Sequence, residues 1–188
     1  MTLYEKELIR RSQTGDWDAF ELLLDRHRSA LARTAYLVTR DRESVQDVVQ
    51  EALIQIWRDL PSYRPFGSFR GWMMKILLNK ARKHYRKRVV ETVALETAAG
   101  IPDNDRSPEE AAELEEAARH MRQALECLTE NHREVLILRY YSEFTIPEIA
   151  KVLGLREGTV KSRLSRALDR LQQALTDPEA HGRGGKKR

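Results

Sequence analysis

The sequence predicts an all-α protein in which two small helical domains are joined by a flexible linker. The 188 residues are 33% charged and only 7% aromatic, a composition dominated by helix formers. Apolar residues recur at helical spacing over most of the chain, and this periodicity stops at residues 89–106, where turn-forming residues collect. A chain of this length can bury two modest cores but not one large one.

The first predicted domain covers residues 1–88 and consists of consecutive helices. A short helical segment ends at Gly15, and Asp16 is placed to cap a longer helix. Another helix is expected from about Ser44 to Asp59. Two prolines break the pattern between residues 60 and 67, after which helicity resumes up to residue 88.

Residues 89–106 form the predicted linker. This linker is the first part of an acidic stretch, residues 89–118, which contains nine acidic residues and one arginine. Residues 89–95 could form a short strand, but no partner strand is evident. The second predicted domain, 107–175, begins with Ser-Pro-Glu-Glu, which combines an N-cap, proline at the first helical position and a capping-box glutamate. Thr129 is expected to cap the next helix.

Composition argues against several classes of protein. The amino terminus lacks a secretory signal, and no run of about 18 apolar residues could span a membrane, so we expect a cytoplasmic protein. The single cysteine, Cys127, is expected to be a buried small residue, and the five histidines show no metal-ligand spacing. We therefore expect no metal and no cofactor. Residues 176–188 are expected to be a disordered basic tail.

Near the carboxyl end, a short helix with a capping box at Thr145–Glu148 stops at Gly154, and a longer helix starts near Glu157. One side of that helix is apolar and is made of Val160, Leu164, Ala167, Leu168 and Leu171. The other side is basic, which is typical of a helix-turn-helix DNA reader. The alternative is a helical hairpin that happens to be basic outside. The expected DNA contacts are Arg156, Thr159, Lys161, Ser162, Arg163, Arg166 and Arg170.

The helix predicted over 44–59 has a second surface of interest. Its apolar stripe contains Val45, Val48, Val49, Ala52 and Ile56. An isoleucine flanked by carboxylates lies away from this stripe, which indicates a protein-binding face, although an ordinary solvated face fits equally well. The candidate residues are Asp47, Gln50, Glu51, Ile54 and, at the border, Trp57.

The helix predicted over 68–88 carries a basic stripe opposite an apolar side made of Met73, Met74, Leu77, Leu78, Ala81 and Tyr85. Aromatic residues precede it, and aromatics beside a cationic groove suit a single strand with unstacked bases. The alternative is that at least two of the four aromatics belong to the core. The candidate contacts are Tyr63, Phe66, Phe69, Trp72, Lys75, Asn79, Arg82, Lys83 and Arg86.

Three motifs carry a family resemblance: Asp47-Val-Val-Gln-Glu51 with Trp57, Phe69-Arg-Gly-Trp72 with Asn79, and Glu148-Ile-Ala150 with Gly158-Thr-Val-Lys-Ser-Arg-Leu164. Together, in this order and spacing, they resemble the extracytoplasmic-function (group 4) RNA polymerase sigma factors of the sigma-70 family. The resemblance spans about residues 10 to 175. The sequence departs from the family pattern at Gln46, where an acid is usual, and at Leu53, where Phe is common. The loop around Tyr63 to Phe66 is also not diagnostic of the family. These departures leave open which bases are recognised at the minus-ten element.

The resemblance implies a role for each surface. The helix from Asp47 to Trp57 would bind the clamp of core RNA polymerase, within a region-2 domain at 1–88. The helix from Phe69 to Arg88 would open the minus-ten element of promoter DNA, and the region-4 domain at 107–175 would read the minus-thirty-five element. The family also implies an anti-sigma partner, and a linker that runs through polymerase channels.

Two rival functions would each explain part of the sequence. A stand-alone helix-turn-helix regulator would bind duplex DNA by itself, but it would not need the basic stripe and the aromatic loop. An enzyme would need a nucleophile, a metal cluster or a phosphate loop, and the sequence offers none of these. The sequence therefore predicts a non-enzymatic factor for promoter recognition.

Overall fold

The computed structural model describes residues 3–65, 67–91, 124–125 and 127–176, and within these residues all regular structure is helical. The all-α fold class is confirmed. A 3₁₀ turn, Leu60–Ser62, follows the third α-helix, and a π-helical segment, Ile137–Tyr141, extends the fifth. The α-helices are α1 (Leu3–Gln13), α2 (Trp17–Thr39), α3 (Arg42–Asp59), α4 (Phe69–Glu91), α5 (Glu130–Leu136), α6 (Ile146–Leu153) and α7 (Glu157–Thr176).

Several sequence predictions lie outside the described residues. They are Phe66, most of the linker (92–106), the N-cap at 107–110 and the basic tail from residue 177 onward.

Local capping explains where most helices begin. Asp16 precedes α2, and its Oδ1 accepts a hydrogen bond from the Ala19 amide at 3.0 Å. Thr145 and Glu148 form the predicted capping box of α6, and Gly154 ends that helix with a φ of 67°. A left-handed residue at a helix end favours glycine, because any Cβ is strained there. These three predictions are confirmed.

Two helix boundaries differ from the sequence prediction. Helix α3 is capped by Asp41, whose carboxylate accepts from the Glu43 amide at 3.1 Å and from the Ser44 hydroxyl at 2.6 Å. Ser44 therefore lies inside the helix. Helix α4 continues to Glu91, so residues 89–91 are helical and the possible strand at 89–95 is wrong at its start.

The first four helices share one core. The predicted apolar sides of α3 and α4 face it: Val48, Ala52 and Ile56 are buried, and Val45 and Val49 are half-buried against it. Burying a side chain of this size contributes about 1.5–3 kcal/mol, which is why these faces fix the packing. The largest buried members of this core are Leu8, Phe20, Leu23, Leu31, Ile56, Leu60, Phe69, Met73, Met74, Leu77 and Leu78.

The carboxyl-terminal helices α5, α6 and α7 pack together around Phe144, Ile149, Val160 and Leu164. Two expectations are wrong here. Cys127 is exposed, because it lies in a turn where its neighbour Leu128 is the residue that enters the core. Leu168 is 41% exposed, because burial along α7 decreases after Ala167.

The two domains also touch each other. Helix α4 packs against α6, and α2 packs against α5 and the π-helical segment. At this contact a Cβ on Gly71 would make ordinary van der Waals contacts across the domains, 3.6 Å from a methyl carbon of Val152 and 3.8 Å from the ring of Phe144, and its tightest neighbour would be Oγ of Ser68 at 3.0 Å. The Thr34 and Ser142 hydroxyls, both buried, meet at 3.1 Å across the same contact.

Candidate nucleic-acid interface

Helices α6 and α7 form the predicted helix-turn-helix, with Gly154 in the turn. Val160, Leu164 and Ala167 anchor α7 in the core, which leaves the opposite side outward. On that side Thr159 and Arg163 are half-buried, and the other predicted contacts, Arg156, Lys161, Ser162, Arg166 and Arg170, are exposed. All seven predicted contacts therefore lie at an accessible surface of one helix and the turn before it.

The partners of the α7 arginines are neutral. An Nη1 donor of Arg163 contacts Oδ1 of Asn131 at 3.3 Å, and an Nη1 donor of Arg170 contacts Nδ1 of His132 at 3.2 Å. Burial lowers the pKa of His132, and the charges of Arg170, Arg163 and Arg166 lower it further. The imidazole is therefore neutral near pH 7 and accepts from Arg170, so that the basic face keeps its charge.

The basic stripe of α4 lies along the edge of the N-terminal domain. Lys75, Asn79, Lys83 and Arg86 are exposed, and Arg82 is half-buried. The stripe therefore lies on one side of the helix, as predicted, but Arg82 is less exposed to solvent than the other four residues.

Arg82 is bound by the other domain. Its Nε and Nη2 donate to the two carboxylate oxygens of Glu134, at 2.5 and 2.6 Å, and its Nη1 donates to Oδ1 of Asn79 at 3.4 Å. The Glu134 side chain is 2% exposed and that of Arg82 is 27% exposed. An Oε1 of Glu130 also lies 3.9 Å from both Arg82 and Arg86. Hydrogen bonding to Glu134 raises the pKa of Arg82 further above its ordinary value, so the guanidinium keeps its charge.

The aromatic residues beside α4 are mostly core residues. Tyr63 is 8% exposed and Phe69 is 1% exposed, and their rings meet edge to face at 5.3 Å. Trp72 is half-buried and packs against both rings at 4.8 and 5.5 Å. The interpretation of Tyr63 and Phe69 as direct base contacts is therefore corrected: both are core residues that pack beneath α4. Of the three aromatic residues, Trp72 is the one that reaches the surface.

Arg70, within the Phe69–Trp72 motif, contacts the C-terminal domain. Its Nη2 donates to the Ser142 carbonyl, and its guanidinium lies 4.6 Å from the centre of the Phe144 ring. The pattern of helical faces did not assign this contact, because the Ser142 carbonyl lies 72 residues away. The same holds for Glu134, 52 residues from Arg82.

The outward face of α3 is accessible. Asp47 and Gln50 are exposed and Ile54 is 45% exposed. Glu51 is different, because its carboxylate contacts Lys80 at 3.6 Å and His84 at 3.1 Å on α4. The hydrogen bond from His84 lowers the pKa of Glu51. Glu51 therefore braces α3 against α4 at the edge of the face.

Sequence reasoning missed one residue next to the α3 face. Trp17, the first residue of α2, is 53% exposed, and its ring contacts the half-buried Trp57 edge to face at 5.0 Å. Trp57 in turn contacts the buried Phe20 at 4.8 Å. Trp17 therefore extends the apolar surface of Ile54 and Trp57 onto a second helix. The signal available in the sequence was a tryptophan directly after the helix cap Asp16.

Two features are absent from the described part of the chain. None of its helices has the length and apolar character to cross a membrane. None of its clusters of His, Cys, Asp and Glu could hold a metal ion.

Family models match both domains of the chain. The model described as Sigma-70 region 2 matches residues 23–89, and that described as Sigma-70, region 4 matches residues 118–171.

Full-length relatives agree. The chain is 34% identical to RNA polymerase sigma factor CnrH of Cupriavidus metallidurans, over 94% of this chain and 96% of the relative. It is 31% identical to ECF RNA polymerase sigma-E factor of Escherichia coli, over 92% and 95%.

Solved structures give the same result. CnrH in complex with the cytosolic domain of CnrY matches with a TM-score of 0.71 and 31% identity, over 92% of this chain and 97% of that one. The sigma factor RpoE in complex with the anti-sigma factor NepR from Bartonella quintana matches with a TM-score of 0.69 and 28% identity, over 84% and 96%. The chain therefore belongs to the sigma-70 family and is an RNA polymerase sigma factor of the extracytoplasmic-function type.

Proposed function

We propose that this sigma factor uses three separate surfaces: the α3 face to bind core RNA polymerase, the α4 stripe to hold the opened minus-ten strand, and the α7 face to read the minus-thirty-five element. The observation that carries the proposal is the α7 face, where seven candidate contacts are accessible on a helix held by a buried apolar side. Arginine can bind guanine with two hydrogen bonds in the major groove, and hydroxyls and lysines suit phosphates. The domains would cover residues 1–88 and 107–175.

The α3 face supports the polymerase contact. It combines exposed Asp47 and Gln50 with an apolar surface formed by Ile54, Trp57 and Trp17. Buried aromatic anchors surrounded by polar groups are typical of the energetically important centre of protein interfaces. We include Trp17 in this docking face.

The α4 stripe supports strand binding. Lys75 and Asn79 are exposed and one helical turn apart, so an ammonium and an amide point to the same side. The ammonium suits a phosphate, and the amide can donate to and accept from an unstacked base edge. The half-buried Trp72 offers a ring beside them.

The proposal includes an anti-sigma partner and no catalytic activity of the chain itself. One solved relative, RpoE, was captured with the anti-sigma factor NepR, and another, CnrH, was captured with the cytosolic domain of CnrY. Because its activity requires RNA polymerase, we place the protein in the cytoplasm. The rival function, a stand-alone regulator, would need tight sequence-specific binding to duplex DNA without polymerase.

The experiment is a run-off transcription assay with purified core polymerase on a genomic DNA library, with band shifts of the recovered promoters. We expect promoter-specific transcripts, and tight band shifts only when core polymerase is present. Specific binding of the isolated chain together with no run-off transcripts would overturn the proposal in favour of the stand-alone regulator.

A further inference from the structure

Helix α1 contacts the turn that leads into α4 through one polar side chain. Nε2 of Gln13, the last residue of α1, donates to the Leu60 carbonyl at 3.1 Å and to the Tyr63 carbonyl at 2.9 Å. A primary amide has two N–H donors, so both are used here. Leu60 begins the 3₁₀ turn and Tyr63 directly follows it, so Gln13 holds the two ends of the turn together.

The hydrogen bonds within the turn itself are local. The Tyr63 amide donates to the Leu60 carbonyl at 3.0 Å, and the Ser62 hydroxyl donates to the Asp59 carbonyl at 2.8 Å. Pro61 has no amide hydrogen to add, and the hydrogen bonds of 3₁₀ turns have poorer geometry than those of α-helices. The two bonds from α1 therefore contribute to the shape of a segment that is weakly held by its own backbone.

Tyr63 connects the turn to the surface of α4. Its ring is 8% exposed and packs against Trp72 at 4.8 Å and, edge to face, against Phe69 at 5.3 Å. Trp72 is half-buried and lies one helical turn before the exposed Lys75, on the side that also carries Asn79. Aromatic rings at these distances pack in preferred relative orientations, so a shift of the Tyr63 backbone would also move the Trp72 ring.

We propose that Gln13 is a positioning residue for the minus-ten strand, and that it acts through Tyr63 on Trp72. By holding both ends of the turn, Gln13 keeps the Tyr63 ring against Trp72, which is thereby oriented for contact with an unstacked base. A ring that is already oriented loses less conformational freedom on binding, so the strand binds more tightly. This inference rests on the proposed function, since it gives α1 a part in strand binding at the α4 stripe.

The first test follows the Trp72 ring by fluorescence, and its result does not depend on the proposed function. The chain has three tryptophans, so Trp17→Phe with Trp57→Phe leaves Trp72 as the only one. In this background, Gln13→Met keeps the length of the side chain but removes its donors. We expect acrylamide to quench Trp72 roughly twofold more strongly in the Gln13→Met chain, because two hydrogen bonds that hold the support of the ring are lost. Equal quenching with and without the substitution would overturn the positioning role.

Gln55→Met is the matched control for this test. Gln55 is also half-buried, and its Nε2 donates at 2.9 Å to both carboxylate oxygens of Asp59, which belongs to the same helix. The substitution removes these hydrogen bonds without altering those to the Tyr63 carbonyl, and it should leave the quenching of Trp72 unchanged. An equal rise in quenching in both variants, or loss of helical circular dichroism in Gln13→Met, would show a general effect on the fold and would overturn the proposal.

The second test measures promoter opening in the complete complex with core polymerase. Gln13→Met, in the otherwise unaltered chain, should lower run-off transcription from a closed template about three- to tenfold, as expected for the loss of one or two hydrogen bonds. Its binding to core polymerase should not change. A template with an artificial bubble at the minus-ten element should partly restore transcription, because the cost of unstacking is then removed. Unchanged transcription from the closed template, or an equal loss on both templates, would contradict the proposal.

A second variant separates failure of this inference from failure of the proposed function. Lys75→Ala with Asn79→Ala removes the proposed strand contacts themselves and is assayed on the same two templates. If this double variant lost transcription from the closed template and Gln13→Met did not, only the role of Gln13 would be wrong. If neither lost transcription, strand binding by the α4 stripe would itself be wrong.

Discussion

The basic faces of α4 and α7 both contact the short helix α5, and they do so in opposite ways. The first turn of α5 presents Asn131 and His132, an amide and a neutral imidazole, to α7. Towards α4, the same helix offers Glu130 and Glu134. One basic face therefore keeps its charge for an external anion, whereas the other is partly neutralised from within the molecule.

The distribution of charge along the sequence therefore does not show which arginines are available to a ligand. Arg82 and Arg163 are each on the basic side of an amphipathic helix, and sequence periodicity treats them alike. Their partners separate them: a carboxylate that is 2% exposed for Arg82 and an exposed amide for Arg163. The same substitution should therefore have different consequences in the two helices.

The largest effect is expected on the open face. Arg163→Ala with Arg166→Ala should weaken use of promoters that depend on the minus-thirty-five element by roughly 1–3 kcal/mol for each lost base contact. Gln172→Ala, at an exposed position of the same helix, is the control and should have no effect. Run-off transcription across a range of factor concentrations measures this. Unchanged promoter use by the double variant would show that α7 is not the recognition helix.

The free energy of unfolding tests the contrast between Arg82 and Arg163. Arg82→Ala should lower the free energy of unfolding by about 2 kcal/mol. The substitution either leaves the buried Glu134 carboxylate without its charged partner or forces the domains to move apart so that water reaches this carboxylate. Arg163→Ala should cost less than about 0.5 kcal/mol, because its amide partner is exposed. Urea unfolding followed by circular dichroism measures both. Equal losses would mean that the Arg82–Glu134 pair contributes nothing to the domain contact.

A smaller effect is expected at the docking face. Trp17→Ala should weaken binding to core polymerase by roughly 1–2 kcal/mol, as expected for an aromatic anchor at the edge of an interface. Leu22→Ala removes a comparably exposed apolar side chain from the same helix and should leave binding unchanged. Fluorescence titration with core polymerase gives both affinities. If the two variants lost affinity equally, Trp17 would not belong to the docking face.

The smallest effect concerns pH. Burial lowers the pKa of His27, and the nearby Arg70 and Arg26 add to this while Glu5 opposes it. Near and below pH 6.5, His27 therefore binds a proton more readily in the unfolded chain than in the folded chain. This contribution to the free energy of unfolding is complete above pH 6.5 and is lost as the pH falls below it. His27→Gln should flatten the decrease in stability between pH 7 and pH 5, measured by thermal unfolding. An unchanged slope would contradict this assignment.

Much of the fold followed from local rules. The helix caps at Asp16 and Thr145, the stop at Gly154, and the apolar sides of α3 and α4 were all predictable, because caps and the 3.6-residue period depend on neighbours in sequence. The cap at Asp41 was missed by three residues because Ser44 is an equally good capping residue by type. The π-helical segment at Ile137–Tyr141 carries no composition signal of its own.

The candidate surfaces were predictable only in outline. The outward sides of α3, α4 and α7 followed from periodicity, but pairs such as Arg82 with Glu134, or Arg70 with Ser142, depend on how distant helices pack. The aromatics illustrate the same limit: Tyr63 and Phe69 are in the core and Trp72 is half-buried, although all three lie beside the same basic stripe.

The separate roles of the α3 face and the α4 stripe are tested most directly by one run-off experiment, on closed templates and on templates with an artificial bubble at the minus-ten element. Lys75→Ala with Asn79→Ala alters the strand surface without touching the Arg82–Glu134 pair, and Asp47→Ala with Gln50→Ala alters the docking face without loosening Glu51 from α4. A bubble removes the cost of unstacking, a few kcal/mol for each extruded base. The bubble should therefore partly rescue the Lys75/Asn79 variant and leave the Asp47/Gln50 variant inactive, whereas equal responses of the two variants would contradict the separation.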